Sequence, residues 1–235
     1  MEPLRPHLWP PEPAGQAPPL LAYQHQPPQL HLASLQMFSS QGAWGQAQAQ
    51  LSSEERQRAN NLQRPKDQAR FVLGRLLLRS LLGQWLGQPS RQLKLSCQPG
   101  GKPQLQPADP QQPVPQFNLS HSGQLVLAAF HWHTPLGVDV QQLRPGVNWQ
   151  RLGAKVFTPE VQAHLASLAA EELEAAHFQQ WCRLEARLKA SGKGLAGLNL
   201  PAPLATELLI TDVCLPEGYR GAVAQLRSPQ PLAAV

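Results

Sequence analysis

The order of apolar and polar residues along this chain predicts both helices and strands. The run FVLGRLLLRSLLGQWL is apolar on most sides of a helix, so the predicted helix 66–86 should be substantially buried. QLVLAAFHW (124–132) is a continuous apolar run of strand length, and LGVDV (136–140) follows it as the next strand. The other predicted elements are a strand at 29–37, helices at 52–62, 157–168 and 170–191, and two strands within 207–226. The elements show no βαβ rhythm, which predicts an α+β fold with mainly antiparallel pairing.

Capping residues indicate where the predicted helices begin and end. Ser52 and Glu55 have the spacing of a capping box, which predicts a helix start. Thr158 before Pro159 is a good pair for the first positions of another helix. Gly192 should end the long helix that begins near residue 170, because glycine adopts the left-handed conformation of a helix end.

Proline and glutamine divide the chain into regions. Residues 1–29 are rich in both and predict an extended N-terminal arm with little packed structure. Residues 97–116 predict a loop. A chain of 235 residues fits one large domain or two small halves, which we place at 30–134 and 135–235.

Charge favours an anionic partner. The net charge is +5, and residues 51–80 hold seven basic and three acidic residues. Such a stretch suits a phosphorylated cofactor, an acidic protein surface or a nucleic acid, because long-range attraction does not distinguish among them. Aromatic residues make up only 6% of the chain and none interleave with the basic run, which argues against nucleic acid.

Cysteine spacing and hydropathy favour a cytoplasmic protein. Cys97, Cys182 and Cys214 have no C-x-x-C spacing, so they predict neither a disulfide framework nor a zinc site. No run of 18 apolar residues is present, and proline or charge interrupts the apolar runs near the N-terminus. We therefore expect no membrane span and no signal peptide.

The segment WCRLEARLKASGKGL (181–195) carries the first candidate chemistry. Trp181, Glu185 and Lys189 recur every four residues and therefore share one helix face. They could form a surface ion pair worth about 0.2 to 0.5 kcal/mol. Alternatively, Glu185 could hold a metal ion with the Lys189 ammonium facing an anion beside it. Asp139, near the end of an apolar strand, is the second candidate carboxylate for Mg²⁺, unless it only caps a turn.

Three other motifs leave two interpretations open. SHS (120–122) could donate hydrogen bonds to a phosphate or form the turn of a hairpin. GGKP (100–103) could bind an anion, although a surface turn is the simpler reading. His131 and His133 of HWH share a strand face, but no third ligand has convincing spacing, so a solvated strand end is favoured over zinc.

Taken in order, several motifs resemble one family. The motifs are LSSEERQRA, DQARFVLGRLLLRSLL, GKPQL, FNLSHSG, LGVDV, VFTPE and WCRLEARLKASGKGL, with LPEGYRGAVA near the end. Together they resemble the surfactin-type 4′-phosphopantetheinyl transferases over about residues 51–225. The resemblance implies a pseudo-twofold pair of α+β halves with coenzyme A between them. It also implies transfer of phosphopantetheine to a serine of an acyl or peptidyl carrier protein, which releases adenosine 3′,5′-bisphosphate.

The resemblance also implies roles for individual residues. Asp139 and Glu185 would bind Mg²⁺, with Mn²⁺ as the alternative, and Lys189 would neutralise phosphate charge near the transferred group. Coenzyme A would be contacted by Ser120 and His121 at its phosphates, by Lys102 and Pro103 at its adenine, and by Arg58 at its 3′-phosphate. Glu185 would also assist deprotonation of the incoming serine.

Two positions depart from the family pattern. Gln141 stands where members commonly have a third acidic ligand, and its carbonyl or a water could complete the metal shell. Leu184 stands where many members have lysine. A catalytically weak relative that binds coenzyme A or a carrier protein therefore stays an alternative to an active enzyme. By analogy, we expect a monomer.

Overall fold

The computed structural model describes residues 2–9, 27–97, 102–107, 114–192 and 208–227. The strands are β1 (His7–Leu8), β2 (Gln29–Ser34), β3 (Lys94–Cys97), β4 (Pro103–Gln106), β5 (Gln116–Ser122), β6 (Leu125–His131), β7 (Leu136–Gln142), β8 (Leu208–Asp212) and β9 (Tyr219–Leu226). The α-helices are α1 (Gln41–Ala49), α2 (Ser53–Asn60), α3 (Pro65–Leu86), α4 (Trp149–Val156), α5 (Pro159–Ala166) and α6 (Ala170–Ser191). Short 3₁₀ turns lie at Leu35–Phe38 and Ser90–Gln92.

The two halves of the chain repeat one topology. In the N-terminal half, β2, β6 and β5 form an antiparallel sheet in that order, and α3 packs against β6 and β2. In the C-terminal half, β7, β9 and β8 form an antiparallel sheet in that order, and α6 packs against all three. In both halves a 22-residue helix precedes the second strand, and the third strand takes the central position. This arrangement confirms the predicted α+β fold with two similar halves.

The capping residues act as the sequence predicts. Ser52 and Glu55 form a reciprocal capping box, in which each side chain accepts a hydrogen bond from the other residue's backbone N–H. The Thr158 hydroxyl accepts from the N–H of Val161 at 3.5 Å, and α6 ends at Gly192 with a φ of 68°. These local contacts satisfy N–H groups that a helix start leaves unpaired.

A shared hydrophobic core joins the two halves. Its buried members from the N-terminal half are Leu30, Leu32, Leu125, Leu127 and Ala129, and those from the C-terminal half are Leu136, Val138, Val140, Val213 and Val223. Burial of these side chains stabilises the junction, because each fully buried aliphatic side chain contributes about 1.5 to 3 kcal/mol. The β5 and β7 strands run side by side at one edge of this junction.

Residues 2–9 join the halves at the opposite edge. The N–H of Leu4 donates to the carbonyl of Asp212, and the N–H of Cys214 donates to the carbonyl of Leu4. A few residues later, β1 pairs in parallel with β2, and the N–H of Trp9 donates to the carbonyl of Leu32. The expectation that the arm carries little packed structure is therefore wrong for residues 2–9, because their backbone pairs with strands of both halves. Residues 10–26 lie outside the described residues.

The structure corrects three other predictions. Residues 97–116 are not all loop, because β3 and β4 form an antiparallel pair and β5 begins at Gln116. Helices α1 and α4 have no counterpart among the predicted elements. His131 is buried rather than solvated, since its ring nitrogen Nδ1 accepts hydrogen bonds from the N–H groups of His133 and Thr134 and so caps the turn after β6.

Within the described ranges, none of the helices combines the length and apolar character needed to cross a bilayer.

Candidate active site

A buried carboxylate lies where the two halves meet. Asp139 is on β7 and exposes only 2% of its surface. Its Oδ1 accepts a hydrogen bond from the Ser120 hydroxyl at 2.7 Å and forms an ion pair with the Lys189 Nζ at 2.7 Å. A buried carboxylate loses its hydration, so it needs such partners to remain charged. Asp139 is therefore not a solvated turn cap.

Lys189 reaches this carboxylate because α6 crosses β7 at very short distance. Its Nζ also donates to the carbonyl of Val138 at 3.1 Å and to the Ser120 hydroxyl at 3.1 Å. Gly137 permits the approach, since a Cβ there would overlap the Ala186 carbonyl oxygen and the Ala190 amide nitrogen of α6. The glycine of LGVDV is thus a site residue that sequence reasoning missed.

Glu185 lies one helical turn before Lys189 and is half-buried. Burial raises the pKa of Glu185, the Lys189 charge lowers it, and the negative charge of Asp139 raises it. Both neighbours are therefore close enough to act on Glu185 electrostatically. The structure brings the two predicted carboxylates and the predicted ammonium into one cluster.

Cys182 is a further neighbour of Asp139, and the sequence did not predict its place in the site. Its thiol is fully buried and donates to the carbonyl of Arg220 at 3.3 Å. Burial raises the pKa of this thiol, and the Asp139 charge raises it further. Cys182 therefore stays protonated beside the carboxylate and is not a nucleophile.

Gln141 shares a strand face with Asp139, as their spacing of two residues predicts. Its side-chain Nε2 donates to the Asp139 Oδ2 at 2.9 Å. In this orientation of the amide, Gln141 is a hydrogen-bond donor to the Asp139 carboxylate.

The donor set of the cluster fits a hard divalent cation. Among the described residues, no group of three or more His, Cys, Asp or Glu side chains could hold a metal ion. Asp139 and Glu185 supply two carboxylates instead. Mg²⁺ is often held by one or two carboxylates and completed by waters and substrate phosphates, so these residues fit it.

Ser120 and His121 point to different sides of β5. Ser120 is buried beside Asp139, whereas His121 is exposed. Partial loss of hydration lowers the pKa of His121, and the positive charge of Arg70 lowers it further. The exposed imidazole and the buried hydroxyl therefore face different surroundings.

The other predicted coenzyme A contacts lie elsewhere in the N-terminal half. Arg58 is exposed on α2, with its guanidinium 5.6 Å from the centre of the Phe71 ring. Lys102 precedes β4, and burial lowers its pKa. Pro103 is the first residue of β4, while Gly100 and Gly101 lie outside the described residues.

Part of the basic run 51–80 is structural. Arg79 is 2% exposed and donates to the Glu55 carboxylate at 2.8 Å and to the Ser90 carbonyl at 2.8 Å. Arg75 is 4% exposed, and its Nε lies 3.7 Å from the same carboxylate. The expectation that this whole run meets anionic partners is therefore wrong, because these two guanidinium groups are turned inward.

Leu184 does not face the carboxylate cluster. It is buried in a hydrophobic cluster with Phe157, Leu165 and Leu188, beneath α4 and α5. The departure from the family pattern at this position thus serves packing of the neighbouring helices on α6.

An ion pair fixes the same helix to the sheet. The Arg183 guanidinium contacts both oxygens of Asp212, at 2.8 and 2.7 Å, and the Gln179 amide donates to Asp212 at 2.8 Å. Such a bidentate contact restricts how α6 can shift relative to β8. Fold and site together define a protein of two similar α+β halves, with two carboxylates and an ammonium at their junction.

Comparisons with known proteins agree with this definition. Residues 38–133 match the family model described as 4′-phosphopantetheinyl transferase, N-terminal, and residues 135–231 match that of the 4′-phosphopantetheinyl transferase superfamily. The chain is 34% identical over 193 residues to the 4′-phosphopantetheinyl transferase HetI of a Nostoc species, covering 82% of this chain and 78% of that relative. The chain therefore belongs to the 4′-phosphopantetheinyl transferase superfamily, which confirms the resemblance seen in its motifs.

Two other relatives show how far the similarity extends. The chain is 27% identical over 146 residues to the 4′-phosphopantetheinyl transferase Sfp of Bacillus subtilis, covering 62% of each protein. A relative from a Synechocystis species is 40% identical over 157 residues, which span 66% of this chain and 63% of that relative. The match thus spans slightly less than two thirds of the length of the Synechocystis relative.

Proposed function

We propose that this protein transfers the 4′-phosphopantetheine moiety of coenzyme A to a serine of an acyl or peptidyl carrier protein. The serine oxygen forms a bond to the phosphorus that carries pantetheine, and the bond from this phosphorus to the bridging oxygen breaks. Adenosine 3′,5′-bisphosphate leaves with the bridging oxygen, and the serine proton passes to solvent or to a carboxylate of the site. The chemistry needs charge neutralisation and alignment more than a covalent intermediate on the protein.

One observation carries this proposal. Asp139 is buried at the junction of the halves and forms an ion pair with Lys189. The charges of Asp139 and Lys189 both act on the pKa of the nearby Glu185. A purely structural ion pair does not need a second carboxylate one helical turn away, which adds repulsion. Two carboxylates beside an ammonium suit a cation and the diphosphate that it would neutralise.

The residues divide into metal-binding and phosphate-binding groups. Asp139 and Glu185 would hold Mg²⁺, which when bound supplies positive charge to the diphosphate. Lys189 offers its ammonium at the same place, and its hydrogen bond to the Val138 carbonyl fixes its direction. The Lys189 charge contributes to the lowered pKa of the exposed His121, so this imidazole lies within electrostatic reach of the cluster, and we assign it a hydrogen bond to a phosphate.

Exposed basic residues supply the surface for the remaining charge. They are Arg56, Arg58, Arg64 and Lys66, on α2, α3 and the turn between them. We assign this surface to the 3′-phosphate of coenzyme A, with Arg58 as the predicted contact, and to acidic side chains of the carrier protein. Lys102 and Pro103 would border the adenine, as the family resemblance implies.

The direct experiment combines the protein with an apo carrier protein, coenzyme A and Mg²⁺. Mass spectrometry of the carrier should show the addition of one phosphopantetheine arm. Asp139→Asn and Glu185→Gln should each reduce the rate at least about 100-fold, because each replaces a charged metal ligand with a neutral amide of similar shape. Glu174→Gln, an exposed carboxylate on the same helix, is the matched control and should keep the parental rate.

Binding measurements separate this function from its alternative. Calorimetric titration with coenzyme A, with and without Mg²⁺, reports binding independently of transfer. Binding without any transfer in a single-turnover assay would identify a catalytically weak relative and would contradict the proposal. Near-parental transfer by either carboxylate variant at saturating Mg²⁺ would show that the metal ligands are misassigned.

A further inference from the structure

Two arginine side chains lie over the ring of Phe71, at the corner between α2 and α3. The Arg58 Cζ lies 5.6 Å from the centre of this ring, and the Arg75 Cζ lies 5.1 Å from it. Both distances are within the range of a cation–π contact, in which the negative face of an aromatic ring attracts a cation. One aromatic side chain therefore contacts two guanidinium groups.

The two arginines differ in burial. Arg75 is 4% exposed, and its Nε lies 3.7 Å from the Glu55 carboxylate, which also pairs with Arg79. Arg58, in contrast, is exposed in the last turn of α2. Phe71 is partly buried and packs against the hydrophobic cluster formed by residues of α1, α2 and α3. The inner arginine and this cluster therefore hold the ring in place, and the ring in turn contacts the outer arginine.

The start of α3 borders the side of the site that we assign to phosphate. Arg70, the residue before Phe71, donates through its Nε and Nη2 to the Gly123 carbonyl at 3.0 and 2.9 Å, in the turn after β5. The Arg70 charge also acts on the exposed His121. This part of α3 therefore lies against the end of β5 that carries His121, and Phe71 is the next residue along the helix.

We propose that Phe71 is a positioning residue for Arg58 and thereby strengthens the preference of this protein for coenzyme A over the form that lacks the 3′-phosphate. An exposed arginine samples many conformations, and ordering it on a phosphate costs free energy. A guanidinium that already rests on a fixed ring loses less freedom. Its N–H groups lie in its own plane, so stacking leaves them directed sideways toward an acceptor. This inference rests on the proposed function, in which Arg58 contacts the 3′-phosphate.

Calorimetric titration with coenzyme A and with 3′-dephospho-coenzyme A isolates the contribution of the 3′-phosphate. Phe71→Leu should raise the Kd for coenzyme A about two- to fivefold, which is the loss expected for one exposed cation–π contact. It should leave the Kd for the dephospho form unchanged. Phe71→Tyr keeps the aromatic face and should therefore keep the parental ratio of the two Kd values.

A double-mutant cycle tests whether Phe71 acts through Arg58. Arg58→Gln should raise the Kd for coenzyme A about tenfold, since it removes a charged hydrogen-bond donor, and should again leave the dephospho form unaffected. In the Arg58→Gln protein, Phe71→Leu should cause no further change in the ratio of the Kd values, because the contact is already lost.

Phe38→Leu is the matched control for the loss of an aromatic ring. Phe38 packs against the same hydrophobic cluster, and its ring meets that of Trp44 edge-on at 5.1 Å between centroids. This variant should keep the parental ratio of the Kd values. If circular dichroism shows that Phe71→Leu is unfolded, Phe71→Met replaces it, because methionine fills irregular space without an aromatic face.

Other patterns would overturn the proposal. An unchanged ratio in Phe71→Leu would show that the stacking does not help Arg58, and equal weakening of both ligands would make the ring a packing residue. The same loss of preference with Arg58 already replaced would show that Phe71 acts without it. Binding of coenzyme A without any transfer would contradict the proposed function, but the ratio of the Kd values would still test the role of Phe71.

Discussion

Gly137→Ala tests whether the close approach of α6 to β7 forms the site. The added Cβ would overlap backbone atoms of Ala186 and Ala190 and would lie 2.7 Å from the Cβ of Lys189. Carbon atoms prefer separations of about 3.5 to 4.0 Å, so α6 has to retreat by roughly 1 Å. The Lys189–Asp139 contact, now 2.7 Å, would then exceed hydrogen-bonding distance.

The expected result is a folded protein with little activity. A misplacement of about 1 Å can reduce a rate about 100-fold, so kcat for transfer should fall by roughly that factor. Overpacking should also lower the free energy of unfolding by about 1 to 3 kcal/mol. Mass-spectrometric transfer rates and urea denaturation measure the two effects on the same preparation.

Gly45→Ala is the control for the general effect of replacing a glycine. Gly45 lies in α1, and a Cβ there would meet nothing within 4 Å. That substitution should stabilise the protein by about 0.5 to 1 kcal/mol and leave transfer unchanged. If Gly137→Ala kept the parental rate, the close approach of α6 would not be needed for activity and the reasoning would be refuted.

Three further predictions concern stability. Glu55→Gln leaves the buried Arg79 without its charged partner and should lower the free energy of unfolding, measured in urea, by about 3 kcal/mol; a loss below about 1 kcal/mol would contradict it. Burial, and then the charge of a neighbouring histidine, lower the pKa of His31 from 6.5 to about 4. Between these two pH values His31 is protonated in the unfolded chain but not in the folded protein. The free energy of unfolding should therefore fall by roughly 3 kcal/mol as the pH drops from about 6.5 to about 4. His31→Leu should flatten this part of the profile, and an unchanged slope would exclude His31 as its cause. Deletion of residues 2–9 should lower the Tm by about 5 °C, because both halves lose backbone hydrogen bonds. Leu8→Ser, at a side chain that is 73% exposed, is the control. If the deletion variant kept the parental Tm, residues 2–9 would not join the halves.

Short-range chemistry in the sequence determined the fold class and the ends of helices such as α2 and α6. A capping box needs only Ser52 and Glu55 three residues apart, and a helix end needs only a glycine such as Gly192. Apolar runs identified the long helix α3 and the strands β6 and β7 for the same reason, since burial of a whole segment is visible in its own residues. The order of the motifs then indicated the family.

Weak local signals hid other elements. Helix α1 has the sequence QGAWGQAQA, in which two glycines and the absence of charged residues give no clear helical pattern. Residues 2–9 contain two prolines and resemble an unpacked arm, yet they are held by hydrogen bonds to strands far away in the sequence. Pairing partners of this kind are not encoded within the segment itself.

Only the tertiary structure decided which polar residues meet. Asp139 and Lys189 are 50 residues apart, and their contact depends on the crossing of α6 over β7 at Gly137. Arg79 reads as one more basic residue of a surface run, but the packing of α3 turns it inward to Glu55. Ser120 and His121 are neighbours in sequence, and the alternation of a strand sends the hydroxyl into the junction and the imidazole outward. The sequence could nominate these groups by type, whereas their charges and hydrogen bonds depend on neighbours that only folding brings within about 3 Å.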